Sequence, residues 1–195
     1  MEYSLNPLTD DCYENTTVLK NKFDIRDENQ LDALERSVTS MLIAKAAIEI
    51  PFENVDFEFY KNLHKYIFSD IYEWAGNVRK IDISKKGTNF CPADKIMERS
   101  NAIFNRLKGS NFLKQYSNDE FIIEFTDLYC DLNYLHPFRE GNGRTQRLFL
   151  SMLVERLGKN LDFSEIDTDI LMIATIKSVK GDIFMLRDIF KEHIK

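Results

Sequence analysis

Apolar positions recur at helical spacing along most of the chain. Leu31, Leu34, Val38, Met41, Leu42 and Ala46 form a stripe that runs up to Pro51, and Asp27 with Gln30 ahead of it has the spacing of a capping box. Phe59, Leu63, Tyr66, Ile67, Ile71 and Trp74 form a second stripe, which predicts a helix from Asp56 to Ala75 closed by Gly76. Pro92 suits the first turn of a third helix, continued by Ile96, Met97, Ile103, Phe104 and Leu107 to Gly109. Residues 110–117 read as a linker with a short apolar piece, Phe112-Leu113, and Asn118 caps the next helix. Phe121, Ile122, Phe125, Leu128, Tyr129, Leu132 and Leu135 make that helix apolar on much of its circumference, which marks it as central. Helical patterning resumes from Thr145 to Leu157. After a loop at 159–166, Asp167 or Thr168 starts a helix with Ile170, Ile173 and Ile176 inside. Gly181-Asp182 opens the last, with Phe184, Leu186, Ile189 and Phe190.

One stretch has a different period. Val78 to Ser84 alternates apolar and polar, Lys85-Lys86-Gly87 turns, and Thr88 to Cys91 returns, so residues 78–91 predict a short β-hairpin. A lone ribbon is marginal and leaves open edges. It is either a decoration or a strip to which a partner segment adds as a third strand. Residues 1–17 read as an irregular lead-in, followed by a short helix at Val18–Phe23. The class is all-α: about six to eight helices around a central helix–loop–helix, with one hairpin, in a single domain over 1–195. His64, one residue off its stripe, reads as a partly buried structural histidine. Cys130 reads as a small core residue.

The chemistry concentrates between two helices, in His136-Pro137-Phe138-Arg139-Glu140-Gly141-Asn142-Gly143-Arg144-Thr145-Gln146-Arg147. A glycine-rich turn that opens a helix is a ready anion site, because the first-turn amides lack internal partners and the dipole favours negative charge. Arg144 and Arg147 share one helical face and can converge on that anion. Glu140 would repel a bare phosphate, and makes sense with a divalent cation between the two. His136 is then the natural general base. Phe138 would pin the loop into the core so that the polar groups are held still. Separately, Asn142-Gly143 could be a hairpin turn and His136-Pro137 a helix end. Together they read as phosphoryl or nucleotidyl transfer from a metal-bound nucleotide to a hydroxyl.

This run matches the signature H-P-F-x-[D/E]-G-N-G-R-x-x-R at every defined position, and the chain resembles the Fic family. Val18 to Phe23, Leu31 to Glu35, Trp74-Ala75-Gly76, Arg79 to Phe90 and Gly181-Asp182 resemble the family's other recurrent segments in order. The resemblance implies the Fic fold and a protein adenylyltransferase that moves AMP from ATP to a Ser, Thr or Tyr hydroxyl of a target protein. It implies His136 as base, Glu140 holding Mg²⁺, and Gly141, Asn142 and Gly143 cradling the α- and β-phosphates. Arg147, and with it Arg144, would hold the β- and γ-phosphates. The hairpin becomes a flap that aligns the target, with Ile83, Lys85 and Phe90 as contacts. The Doc branch carries lysine at the position of Gly143 and transfers the γ-phosphate, so Gly143 favours adenylylation. UMP transfer, γ-phosphate transfer and a nucleotide-binding module without turnover are the alternatives.

Many relatives are restrained by a glutamate in the pattern [S/T]-x-x-x-E-[G/N]. Ser69…Glu73 is followed by Trp74, Ser151…Glu155 by Arg156, and Glu14-Asn15 is preceded by Asp10, so the pattern is absent. The resemblance then implies a toxin-like protein restrained by a separate small antitoxin that supplies the glutamate. Charge narrows the partners. The formal net charge is −6, which argues against direct nucleic-acid binding. Cys12, Cys91 and Cys130 form neither a disulfide framework nor a metal pattern. No apolar run approaches the roughly 20 residues of a membrane span, and no signal peptide is evident. A bacterial cytoplasmic location is expected, with delivery into a host cell as an effector as a second destination.

Overall fold

Asp27 accepts a hydrogen bond from the Gln30 amide at 2.9 Å and so starts the first helix, α1 (Glu28–Glu49). Asp56 does the same for α2 (Phe57–Phe68) through Phe59, also at 2.9 Å. The computed structural model describes residues 11–85 and 88–195. The expected lead-in at 1–10 and the Lys86-Gly87 turn lie outside the described residues. Five more helices follow: α3 (Ile96–Gly109), α4 (Asn118–Leu135), α5 (Asn142–Arg156), α6 (Thr168–Val179) and α7 (Phe184–His193). Short 3-10 turns stand at Ala93–Lys95 and Phe163–Glu165. The two strands are β1 (Ser84–Lys85) and β2 (Thr88–Asn89), antiparallel with Ser84 opposite Asn89 and Lys85 opposite Thr88. The all-α class with one short hairpin is therefore as the periodicity predicts.

Helix α4 is central. It packs on α3, α5, α6 and α7, and Phe125, Leu128, Leu132 and Leu135 on it are buried. The core runs without a break from Val18 to Phe190. Its middle is aromatic: Tyr60, Phe104 and Phe149 meet edge-on or tilted at centroid distances of 5.3–5.9 Å, the geometry that ring quadrupoles favour.

Several boundaries differ from the periodic reading. Helix α2 stops at Phe68 instead of Ala75, because the chain turns back there and the Gly76 amide donates to His64 Nδ1 at 2.9 Å. Helix α5 starts at Asn142 rather than Thr145, since Gly141 (φ 78°) supplies the left-handed entry. Ser117, not Asn118, caps α4, in a reciprocal box with Glu120. No helix forms at Val18–Phe23; the segment instead folds back so that Leu19 bridges Cys12. The hairpin is shorter than 78–91, since Arg79 leaves the alternation to bond elsewhere. Two faces are also turned. Helix α1 buries Glu35 and Thr39 while Met41 is exposed, and Ile170, Ile173 and Ile176 of α6 point outward.

Candidate active site

Helix α4 ends by twisting His136 into the left-handed region (φ 39°, ψ 59°), which is uncommon for a residue with a Cβ. The twist presents the ring at the mouth of the motif loop. His136 Nδ1 lies 3.2 Å from the Asn133 carbonyl oxygen. A carbonyl only accepts, so in the neutral ring the proton sits on Nδ1 and Nε2 carries the lone pair. The ring is 7% exposed. Burial pushes its pKa down to about 3, against the Asn133 bond that raises it, and the Lys85 and Arg79 charges lower it further. Phe90, from the end of the flap, lies flat on this ring, with centroids 3.7 Å apart and planes 12° apart.

The loop behind His136 is closed by Asn142. Its Oδ1 accepts from the Phe138 amide and its Nδ2 donates to the Phe138 carbonyl, both at 2.8 Å. The Asn142 side chain is thus committed to the loop, and what it leaves for an anion is the first turn of α5. Phe138 is fully buried and stacks on His64, with centroids 3.8 Å apart. Gly141 has no room for a side chain: a Cβ there would lie 2.3 Å from the Phe68 ring. The Gly141 amide donates to Glu140 Oε1 at 2.9 Å. Burial raises the Glu140 carboxyl pKa, opposed first by that amide.

The two motif arginines have different surroundings. Arg144 is bonded to Glu35 of α1, donates to Thr39 Oγ1 at 3.3 Å, lies 3.6 Å from Glu140 Oε1 and stacks over Phe68 at 4.7 Å. The Tyr72 hydroxyl donates to the second oxygen of Glu35. Arg147 is exposed and forms no ion pair among the described residues; one of its guanidinium nitrogens would lie 3.2 Å from a Cβ at Gly143. Arg144 organises the loop, and Arg147 is the cation turned toward solvent.

Three supporting residues carry no local signature. Arg79 is buried and donates to three carbonyls: His136 at 2.8 Å, Ile81 at 2.7 Å and Cys91. It ties the end of α4 to both arms of the flap. The Arg79 amide adds a bond to Pro137 at 2.9 Å. His64 is fully buried, beyond the partial burial expected. Because its Nδ1 accepts from Gly76, its Nε2 is the donor to the Glu140 carbonyl at 3.0 Å. Burial pushes this ring down to about 3 as well. Arg139, at the variable position of the motif, is buried and reaches Asp11 at 3.2 Å. A carboxylate on a helix face otherwise turned to the core is the one signal that could have pointed to Glu35.

On the flap, Lys85 lies in β1 and Phe90 covers His136, whereas Ile83 is buried, so its side chain is not at the surface. The Ile83 carbonyl accepts from the Phe90 amide at 3.3 Å. A cavity of about 320 Å³ opens along the flap between Asp82, Ser84, Asn89 and Pro92. Among the described residues no cluster of three or more His, Cys, Asp or Glu stands together. A single carboxylate fits Mg²⁺, which is commonly held by one or two carboxylates together with nucleotide phosphates and water. Glu140 is the carboxylate in place. No helix among the described residues is long and apolar enough to cross a membrane.

Comparison with known proteins gives the family and the fold. Residues 54–154 match the model of the Fic/DOC family. A probable protein adenylyltransferase of Sinorhizobium fredii is 36% identical over 173 residues, covering 88% of each chain. A Bartonella tribocorum effector translocated by the VirB system, solved with bound AMPPNP, superposes with a TM-score of 0.91 at 27% identity, over 98% of this chain and 99% of that one. The Fic domain of a Bartonella quintana effector with bound ADP gives 0.91 at 26% identity, over 95% and 94%.

Proposed function

The chain belongs to the Fic/DOC family, and we propose that it is a protein adenylyltransferase that moves AMP from ATP to a Ser, Thr or Tyr hydroxyl of a target protein. The adenylyltransferase relative supports the reaction class, and the neighbour holding an ATP analogue supports the donor. The observation that carries the reading is the tautomer of His136. Its Nδ1 proton is held by the Asn133 carbonyl, so Nε2 is the basic atom, at the end of α4 where the motif loop begins.

In this reaction His136 Nε2 takes the proton of the target hydroxyl as its oxygen forms a bond to the α-phosphorus. The bond from that phosphorus to the bridging oxygen breaks, and pyrophosphate leaves. First-turn amides of α5 and the Arg147 guanidinium would bind the phosphate oxygens and offset the developing charge. Mg²⁺, held by Glu140, would supply further charge neutralisation on the phosphates when bound. Arg144 would act at one remove, fixing Glu140 and the loop. The flap would align the target segment, with Lys85 and Phe90 contributing side chains and Ile83 its backbone. Restraint would come from a small antitoxin presenting a glutamate to Arg147, in the bacterial cytoplasm or before delivery to a host.

The test compares α-labelled and γ-labelled ATP with Mg²⁺, using the protein with a cytoplasmic extract beside His136→Ala. Label transferred from the α position alone, and lost in His136→Ala, is the expected result. Label from the γ position would instead mean γ-phosphate transfer despite Gly143. No label from ATP, with label from UTP, would reassign the donor.

A further inference from the structure

We propose that the outward face of α6 is where two copies of this chain pair, antiparallel and related by a two-fold axis. The inward face is fully used: Leu171 and Ala174 are buried, the helix packs on α4 and α7, and the Thr175 hydroxyl is 2.9 Å from that of Tyr129. The other side is apolar and uncovered. Ile170 and Ile173 are each 46% exposed and Val179 is 48% exposed, with Ile176 beside them. Phe184, at the start of α7, adds an exposed ring near the C-terminal end of the helix. A contiguous apolar face of this kind on a water-facing helix marks an interaction surface.

Charge and spacing identify the occupant. At 100° per residue, Asp169, Ile173, Ile176 and Lys180 fall within roughly 60° of arc on the outward side. Asp169 and Lys180 are both exposed and have no ion pair among the described residues. The order acid, apolar, apolar, base is symmetric in spacing about the point between Ala174 and Thr175. An antiparallel copy rotated about that point sets Ile173 against Ile176 and Asp169 against Lys180 at both ends, with Ile170 and Val179 on the two flanks of the seam. A two-fold interface requires this kind of self-complementarity, in which one residue meets a second and the second meets the first. Parallel pairing would set Asp169 against Asp169 and Lys180 against Lys180, which is repulsive. A single helix pair buries less than a standard interface of about 1,200–2,000 Å², so the dimer should be reversible, with a dissociation constant of roughly 1–100 µM.

Sedimentation velocity of the full chain across that concentration range tests this. The wild type should pass from monomer to dimer. Asp169→Lys and Lys180→Asp should each weaken pairing by roughly tenfold, because each creates like-charge contacts at both ends. Mixing those two variants should restore a heterodimer, since every end then faces an opposite charge. Ile173→Glu/Ile176→Glu should be monomeric throughout. All are surface changes, so thermal midpoints of the monomers should match the wild type and separate loss of pairing from loss of folding. A wild type that stays monomeric throughout would overturn the proposal and leave this face to a different chain. Dimers indifferent to Ile173→Glu/Ile176→Glu, or a mixture pairing no better than either single variant, would overturn it equally.

Discussion

Phe90 lies flat against His136 at a centroid separation of 3.7 Å, so the flap and the proposed general base form one packed unit. The contact keeps water from one face of the imidazole, and burial is the largest cause of its low pKa. A base held near 3 is protonated only in strong acid. Phe90→Ala admits water to that face, which should raise the pKa toward the unperturbed value of about 6.5. In the wild type, labelling should show no His136-dependent acid limb above about pH 5. In Phe90→Ala the rate should fall as pH drops through about 6. Identical profiles in the two proteins would show that Phe90 does not set the protonation of this ring.

The same burial makes a stability prediction. His64 and His136 have folded pKa values of about 3, against about 6.5 unfolded. Between those values the unfolded chain binds protons that the folded chain does not, so stability rises with pH. The contribution is complete above about 6.5 and is lost as pH falls toward 3, at no more than about 1.4 kcal/mol per pH unit for each ring. Urea unfolding at pH 7 and at pH 5 should therefore show a smaller pH-dependent loss in His136→Ala than in the wild type. Equal losses would mean that His136 is not held neutral by the fold.

Arg144 and Arg147 should separate in their effects. Arg144→Ala strands the buried Glu35 carboxylate, and breaking a buried pair costs about 3–5 kcal/mol. Thermal unfolding should show a large drop. Arg147 is exposed, so Arg147→Ala should change the midpoint little, while calorimetric titration with a non-hydrolysable ATP analogue and Mg²⁺ should show at least a tenfold loss of affinity. A stable Arg144→Ala, or an Arg147→Ala that binds nucleotide normally, would reverse the roles assigned to the pair.

Gly141 is fixed by space as well as by conformation. Gly141→Ala adds a Cβ 2.3 Å from the Phe68 ring at φ 78°. The left-handed backbone costs about 1–2 kcal/mol, and overpacking costs a further 1–3 kcal/mol or so. Adding Phe68→Leu should recover part of the second cost and none of the first. Full recovery in the double variant of unfolding free energy would show that backbone conformation contributes nothing there.

Arg79→Gln should loosen the flap without unfolding the domain. It leaves three carbonyls, those of His136, Ile81 and Cys91, without the donor they share. Hydrogen exchange of the Ser84, Lys85, Thr88, Asn89 and Phe90 amides should accelerate at least roughly tenfold relative to α4. Unchanged protection there would mean the hairpin holds itself.

The helical architecture and the site loop were legible because their information is local. Twelve consecutive residues carry the base, the carboxylate, the glycine turn and both arginines, and helix formation follows from apolar spacing within a few turns. Tertiary structure alone decided how those groups are held. Glu35 and Arg144 are 109 positions apart, Arg79 and His136 are 57, and His64 and Glu140 are 76; no periodicity links residues so distant. It also decided which way amphipathic faces point. Periodicity shows that α6 has apolar residues, but only the placement of α4 and α7 determines that Leu171 and Ala174 are covered while Ile173 and Ile176 meet water. The length of α2 was set in the same way, since the turn after Phe68 exists to bring the Gly76 amide onto His64, a bond that no residue within the helix announces.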